Sequence, residues 1–267
     1  MPDPAPDQHL LRAGFDADAE AYQRTRPVCP PRMFDDLVRL ARLAPGDRVV
    51  EIGCGTGQAT VPLAERGLAV TAVELGASLA AAARRRLAGF PAARVVTSSF
   101  EDWDDDQREP CRAVVAVNSL HWVDPAVRYA KPAGLLEPGG AMVVGGCSWA
   151  RPEDAGVFWT EVQEDYRAVG FAGSPPPPPA QVGAWHFPAA AAPYFEEIAS
   201  LRYPPFTLTY SARDYLAQLA TQSGTRALGP DRAGRFLSLV GRRLDNHGWP
   251  SLTATFVPRL TVGIRRA

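Results

Sequence analysis

Residues 49–57, Val49-Val50-Glu51-Ile52-Gly53-Cys54-Gly55-Thr56-Gly57, constrain the fold of this chain more than any other stretch. An apolar run of strand length ends directly in three glycines at alternate positions. A helix-compatible segment, Gln58 to Arg66, follows. Glycine tolerates positive φ and lets a ligand lie against bare backbone. The helix behind such a turn offers unpaired N–H groups and the positive end of its dipole. A pyrophosphate or a carboxylate suits that environment; a tight turn without a ligand is the plain alternative.

Around this turn the chain alternates between strand and helix patterns. Strands are expected at Arg48 to Gly53, Ala69 to Glu74, Arg94 to Thr97, Arg112 to Asn118 and Ala141 to Cys147. Helices are expected at Ala77 to Leu87 and Pro125 to Leu136, the latter ended by Glu137-Pro138-Gly139-Gly140. Alternation at this pace predicts an α/β fold: a Rossmann-like, seven-stranded, mostly parallel sheet with helices on both faces and a helical cap. The last two strands are expected within residues 196–210 and at Val257 to Ile264.

The flanks are less regular. Residues 7–26 read as helical until Pro27 breaks the pattern, and Arg32 to Leu43 as a second helix ended by Ala44-Pro45-Gly46. Beyond Cys147, helices are expected at Glu153 to Val169, Ala212 to Ala220 and Arg232 to Asp245. The five prolines Pro175 to Pro179 predict a stiff, extended surface segment. The resulting layout is an N-terminal helical lid (1–44), a ligand-binding core (45–148), and cap helices with closing strands (149–267).

Composition excludes several classes. With 28 Lys plus Arg against 29 Asp plus Glu, the net charge is -1, and no basic block stands ready to neutralise phosphates. A nucleic-acid partner is therefore not expected. No apolar run reaches the roughly 20 residues that span a bilayer, and no signal peptide is recognisable. Cys29, Cys54, Cys111 and Cys147 are far apart, and with only four histidines no metal-ligand spacing emerges. They read as reduced, mostly buried thiols of a cytoplasmic protein. Lys131 is the sole lysine beside abundant arginine and alanine, which hints at a GC-rich bacterial genome.

Two features narrow the ligand. The glycine spacing is GxGxG, whereas a dinucleotide fingerprint reads GxGxxG. The strand Val70 to Glu74 then ends in an acid seventeen residues after Gly57, placed to accept hydrogen bonds from both ribose hydroxyls of an adenosine. His121 and Trp122 follow the fourth strand at the end of the sheet where open α/β folds place their sites. His121 is the candidate general base, against a packing or cofactor-orienting role. Trp122 either walls the pocket or fills core. Tyr22 and Arg26 precede the Pro27 break as candidate lid contacts, with a surface role as the alternative. Trp149, Phe158, Trp159, Tyr166, Trp185 and Phe187 bring aromatic surface to the cap, which suits an apolar or planar substrate, with ordinary core as the alternative. The acidic run Asp104-Asp105-Asp106 reads as a solvated loop.

The EIGCGTG motif, the strand acid Glu74, the LxPGG turn and the strand order resemble the class I S-adenosylmethionine-dependent methyltransferases across residues 45–148. Phe15 to Pro31 and Phe206 to Gly224 are similar to the small-molecule group that includes trans-aconitate methyltransferase. The resemblance implies that Glu51, Gly53, Gly55 and Gly57 shape the pocket for the methionine end of the cofactor. It places Glu74 on the ribose, Leu75 beside the adenine, and Phe100 and Glu101 at the adenine ring and its amine. Asn118 falls beside the sulfonium. One departure is that Ser98-Ser99 replaces the Asp-Ala that commonly precedes the acid at this strand exit. The expected reaction is methyl transfer from S-adenosylmethionine, leaving S-adenosylhomocysteine, to an O, N or C atom of a small molecule, with no metal required. The alternatives are a nicotinamide-dependent oxidoreductase, disfavoured by the spacing, and a protein that binds the cofactor without methylating. Neither acceptor nor oligomeric state is encoded legibly.

Overall fold

The computed structural model describes residues 19–105, 109–153, 156–171, 175–249 and 251–266. Helices are α1 (Ala19–Thr25), α2 (Pro31–Leu40), α3 (Thr60–Glu65), α4 (Ala77–Arg86), α5 (Ala130–Leu135), α6 (Phe158–Ala168), α7 (Ala212–Ala220), α8 (Ser223–Ala227) and α9 (Pro230–Asn246). Strands are β1 (Arg48–Ile52), β2 (Ala69–Glu74), β3 (Arg94–Thr97), β4 (Cys111–Val117), β5 (Leu136–Ala150), β6 (Phe195–Arg202), β7 (Phe206–Ser211) and β8 (Ser251–Arg265).

The sheet runs β3-β2-β1-β4-β5-β8-β6, with β7 also paired to β8. Strands β1 to β5 are parallel, while β6 and β7 run antiparallel to β8. Among the described residues eight strands stand where seven were expected. The single strand read over residues 196–210 is two, split at Pro204-Pro205, where missing N–H groups interrupt the ladder. Each pairs with a different half of β8.

The chain divides into two units: Val28–Cys147 with Ala184–Tyr203 and Pro258–Ala267, and Met1–Pro27 with Ser148–Gly183 and Pro204–Val257. The first holds the parallel sheet. Its strands alternate between two cores: Val49, Val70, Ala72 and Val115 meet Met33, Phe34 and Leu37 of α2, whereas Val50, Ile52, Val73 and Val114 meet Phe100, Trp103 and Tyr129. Burial on both faces is what parallel strands of this apolar content require. Helix α2 starts with Pro31 in its first turn and stops at Leu40, short of Leu43, where Arg42 turns to φ 53°. Strand β5 is longer than expected, because the Pro-Gly-Gly turn is absorbed as an irregularity: Leu136 pairs with Cys111, then Ala141 with Ala113. Asp105 is not solvated. It is buried and ion-paired to Arg48 and, at 3.7 Å, to Arg94, joining the starts of β1 and β3. Trp185 and Phe187 pack on this unit's second core. Cys29 and Cys147 stand Sγ to Sγ at 3.3 Å, and that contact together with burial pushes the Cys147 thiol above its ordinary range.

In the second unit β7 and the first half of β8 form a ladder from Phe206↔Phe256 to Ser211↔Ser251. The Ser211 hydroxyl caps α7 by accepting from the Asp214 N–H at 3.0 Å. The proline run is extended at Pro178 (φ -55°, ψ 151°) but buried at Pro179, so it is only partly a surface segment. Helices α6 and α9 are joined by Arg243, whose guanidinium meets buried Asp165 at 2.7 and 3.0 Å and Glu161 at 3.3 Å. Removing the guanidinium leaves the Asp165 carboxylate buried without its cation. Arg243→Ala should therefore cost about 3 kcal/mol in urea unfolding; a loss below about 0.5 kcal/mol would place this cluster among surface pairs.

Candidate cofactor site at the ends of the parallel strands

In the first unit β1 leads through α3 toward β2 and β3 on one side, while β4 and β5 lie on the other. The order therefore switches between β1 and β4. Open α/β sheets bind ligands in the crevice outside the carboxyl ends of the strands at such a point. Gly53 follows β1 there, and Asn118 follows β4.

The three glycines take φ of 65°, 57° and 82°, the left-handed region that glycine enters without penalty. At Gly53 a side chain is excluded twice, since its Cβ would stand 2.7 Å from Ser119 Cβ. Helix α3 begins only at Thr60 and has six residues, so residues 54–59 form a longer turn than the helix expected from Gln58. Contacts with β2 hold the turn in place. The N–H groups of Gly53 and Cys54 donate to Val73 O at 2.8 and 3.3 Å. Glu74 accepts from Gly55 N–H at 2.8 Å on one oxygen and from Gly76 N–H at 2.9 Å on the other. A carboxylate has about four acceptor sites, so this duty is compatible with ribose hydroxyls. Leu75 is half-buried beside it.

Glu51 is 1% exposed and its Oε2 accepts no hydrogen bond among the described residues. Burial first, and then the negative charge of Glu74, raise its pKa to about 7; the nearby Thr60 hydroxyl pulls the other way without hydrogen-bond geometry. Thr56 Oγ1, Gln58 Nε2 and Thr60 Oγ1 are likewise buried and unpartnered. Four such atoms within ten residues are unusual, because an unsatisfied buried polar atom costs about 1–3 kcal/mol. A polar ligand would satisfy them.

Asn118 adopts φ 57°, and its Oδ1 accepts from Cys147 N–H at 3.0 Å, so the carboxamide bridges the ends of β4 and β5. A side chain at Gly146 would collide with it. The Ser119 hydroxyl donates to Ile52 O. His121 is exposed in the short 3-10 turn Leu120–Trp122, its ring 5.0 Å from the half-buried Trp122 ring. Phe100 is 5% exposed in the second core, with the Lys131 ammonium 5.2 Å from its ring centroid. Glu101 Oε1 accepts from Asp124 N–H at 2.7 Å, tying the loops after β3 and β4. Tyr22 and Arg26 belong to the second unit: the guanidinium lies 4.9 Å from the Tyr22 centroid and donates to Thr221 O at 2.6 Å.

The sequence reading therefore named the glycines, Glu51, Glu74 and Asn118, which the structure gathers at the carboxyl ends of β1, β2 and β4. It missed Gln58 and Thr60 as site groups, although the polar run from Thr56 to Thr60 between apolar segments carried that signal. Among the described residues no three His, Cys, Asp or Glu side chains converge as a metal would need, and no helix is long and apolar enough to cross a membrane.

Residues 49–140 match the family of methyltransferase domains. The uncharacterized methyltransferase Rv3342 of Mycobacterium tuberculosis is 33% identical over 167 residues, covering 62% of each chain. The chain thus spans about three-fifths of that relative's length. Trans-aconitate 2-methyltransferase of Delftia acidovorans is 30% identical over 128 residues, 46% of this chain and 44% of that one. Among solved structures, a candidate type II methyltransferase of Anaeromyxobacter dehalogenans superposes with a TM-score of 0.57 at 21% identity, over 90% of this chain and 97% of that one. The fold is thus Rossmann-like.

A titration of Glu51 is testable without any ligand. Its folded-state pKa lies above the ordinary 4.5, so the stability contributed by the neutral carboxyl is fully present below pH 4.5 and lost as the pH rises through about 7. Glu51→Gln should match the wild type near pH 5 and exceed it by up to about 3 kcal/mol at pH 8. A pH-independent difference in urea unfolding would show that Glu51 does not titrate there.

Proposed function

We propose that this chain is an S-adenosylmethionine-dependent methyltransferase acting on a small molecule. The observation that carries the reading is the set of unpartnered buried polar atoms around the glycine turn, next to two carboxylates at the switch point of the sheet. These groups fit a ligand with a cationic amine at one end and ribose hydroxyls further along. Glu51 would meet the amine of the methionine end, where a neighbouring cation favours its charged form. Gly53, Gly55 and Gly57 let the ligand lie on the backbone, and Glu74 would hold the ribose hydroxyls. Leu75 and Glu101 would flank the adenine, with Phe100 supporting that wall from the core. Asn118 would stand beside the sulfonium.

When bound, S-adenosylmethionine supplies a methyl group on a positively charged sulfur, ready for in-line displacement. The chain's task is then to align acceptor and methyl carbon and exclude water, which lowers barriers by about 7–11 kcal/mol in favourable cases. His121 would take the proton of an acceptor that must lose one, worth about 100- to 10,000-fold. A net charge of -1 supports a small-molecule acceptor over a nucleic acid.

Calorimetric titration tests the cofactor. The wild type should bind S-adenosylmethionine and S-adenosylhomocysteine but not NADH; binding of NADH alone would overturn the reading. Glu74→Ala should weaken both adenosyl ligands by about 10- to 100-fold, the worth of charged hydrogen bonds. Unchanged affinity in a variant that still melts cooperatively would remove Glu74 from the ribose. With an acceptor returned by a methyl-transfer screen, His121→Ala should lower turnover by about 100-fold with cofactor affinity preserved. Normal turnover would make His121 a bystander.

A further inference from the structure

The second unit contains a cavity of about 250 Å³ wholly within its own residues. Five aromatic side chains line it: Trp149, Trp159, Tyr166, Phe171 and Tyr215. Their rings already support one another edge to face, with Trp149 6.1 Å from Trp159 and 6.4 Å from Tyr215. That arrangement fixes the wall before anything enters. Val162, Leu219 and Leu228 complete the apolar lining.

Among the described residues no Asp, Glu, Lys, Arg or His lines the cavity. The tyrosines stay neutral there, since burial lifts Tyr166 to about 12 and raises Tyr215 as well. A carboxylate or ammonium entering this space would lose its water with no opposite charge to meet, and that penalty is several kcal/mol. Besides the phenol hydroxyls and indole N–H groups of the aromatic wall, polar character is confined to two carboxamides and the Thr225 hydroxyl. Gln163 is anchored through its Nε2 to Trp159 O at 3.3 Å, and Gln222 through its Nε2 to Gln218 Oε1 at 2.9 Å. The Gln222 carboxamide oxygen accepts no hydrogen bond among the described residues, and Thr225 lies beside it in the lining.

Size narrows the occupant further. An apolar cavity of about 150 Å³ takes benzene, so this one has room for a single molecule of one or two fused rings. We propose that the cavity binds an uncharged, planar aromatic compound carrying one hydroxyl or similar donor, its rings against the aromatic wall and its polar group on the Gln222 carboxamide. The lining argues against polycarboxylates, in contrast to the substrate that the name of the Delftia relative implies. This binding site stands independently of the methyltransferase reading above.

The test is calorimetric titration of the full chain with 1-naphthol and, separately, with 1-naphthoate. Saturable naphthol binding with naphthoate weaker by about tenfold or more is expected. Val162→Phe should fill the space, weaken naphthol by about tenfold and leave the melting temperature unchanged or raised, because an empty volume tolerates added methylenes that a packed core does not. Leu228→Phe makes the same test from a different segment should Val162→Phe not fold. The proposal is overturned if naphthol does not saturate, if naphthoate binds as well, or if folded filling variants bind naphthol like the wild type. A titration with S-adenosylmethionine is run on the same samples. Its failure would count against the cofactor reading alone, while naphthol binding would still be decided by its own arms.

Discussion

The Glu74 carboxylate accepts the Gly55 and Gly76 N–H groups at 2.8 and 2.9 Å, and the rest of the candidate site follows from that pair of bonds. A glycine turn is by composition the least ordered kind of backbone, because glycine loses the most conformational entropy on folding. Here a charge-assisted bond at its middle and backbone bonds from Gly53 and Cys54 to Val73 O hold it against the end of β2. The acid that would read the ribose therefore also shapes the loop under the methionine end. The two ends of the candidate site would thus be coupled through one side chain.

This arrangement also explains the contrast between the two buried acids. Glu74 is satisfied by backbone donors that stabilise its charge. Glu51, 1% exposed, has an Oε2 without a partner and feels the charge of Glu74, so its proton is retained up to about pH 7. A buried carboxyl left unsatisfied in a native structure calls for an explanation. A cationic ligand group provides one, since it would reverse the balance of burial and repulsion. Packing of β1 offers no reason for an acid at a position where an apolar residue would fit the core.

What could be read from the sequence was what is local in it. The β1 run, the glycine spacing and the acid ending β2 lie within 26 residues, and strand alternation specifies parallel pairing through short right-handed crossovers. The structure moved boundaries by a few residues there and shortened α3. Beyond Cys147 the determinants are long-range. Strand β8 pairs with β6 through one half and β7 through the other, and no period in residues 196–210 signals that break except Pro204-Pro205. Asp105 looked like one of three exposed acids because its partners, Arg48 and Arg94, lie elsewhere in the chain. The thiols of Cys29 and Cys147 meet across 118 residues of sequence.

The same distinction separates the two ligand questions. A cofactor common to many enzymes can be held largely by backbone geometry and one or two acids, so its site is written in contiguous residues with a spacing. A cavity for an individual small molecule is written in shape and in the absence of charge. Its aromatic residues, from Trp149 to Tyr215, follow no motif and individually read as ordinary core. What identifies them as a wall is that they leave about 250 Å³ unfilled between them. Wall atoms facing such a space lack partners on one side and forgo dispersion energy. An aromatic occupant restores those contacts, and so the chemistry of the missing partner can be argued from the walls that would touch it.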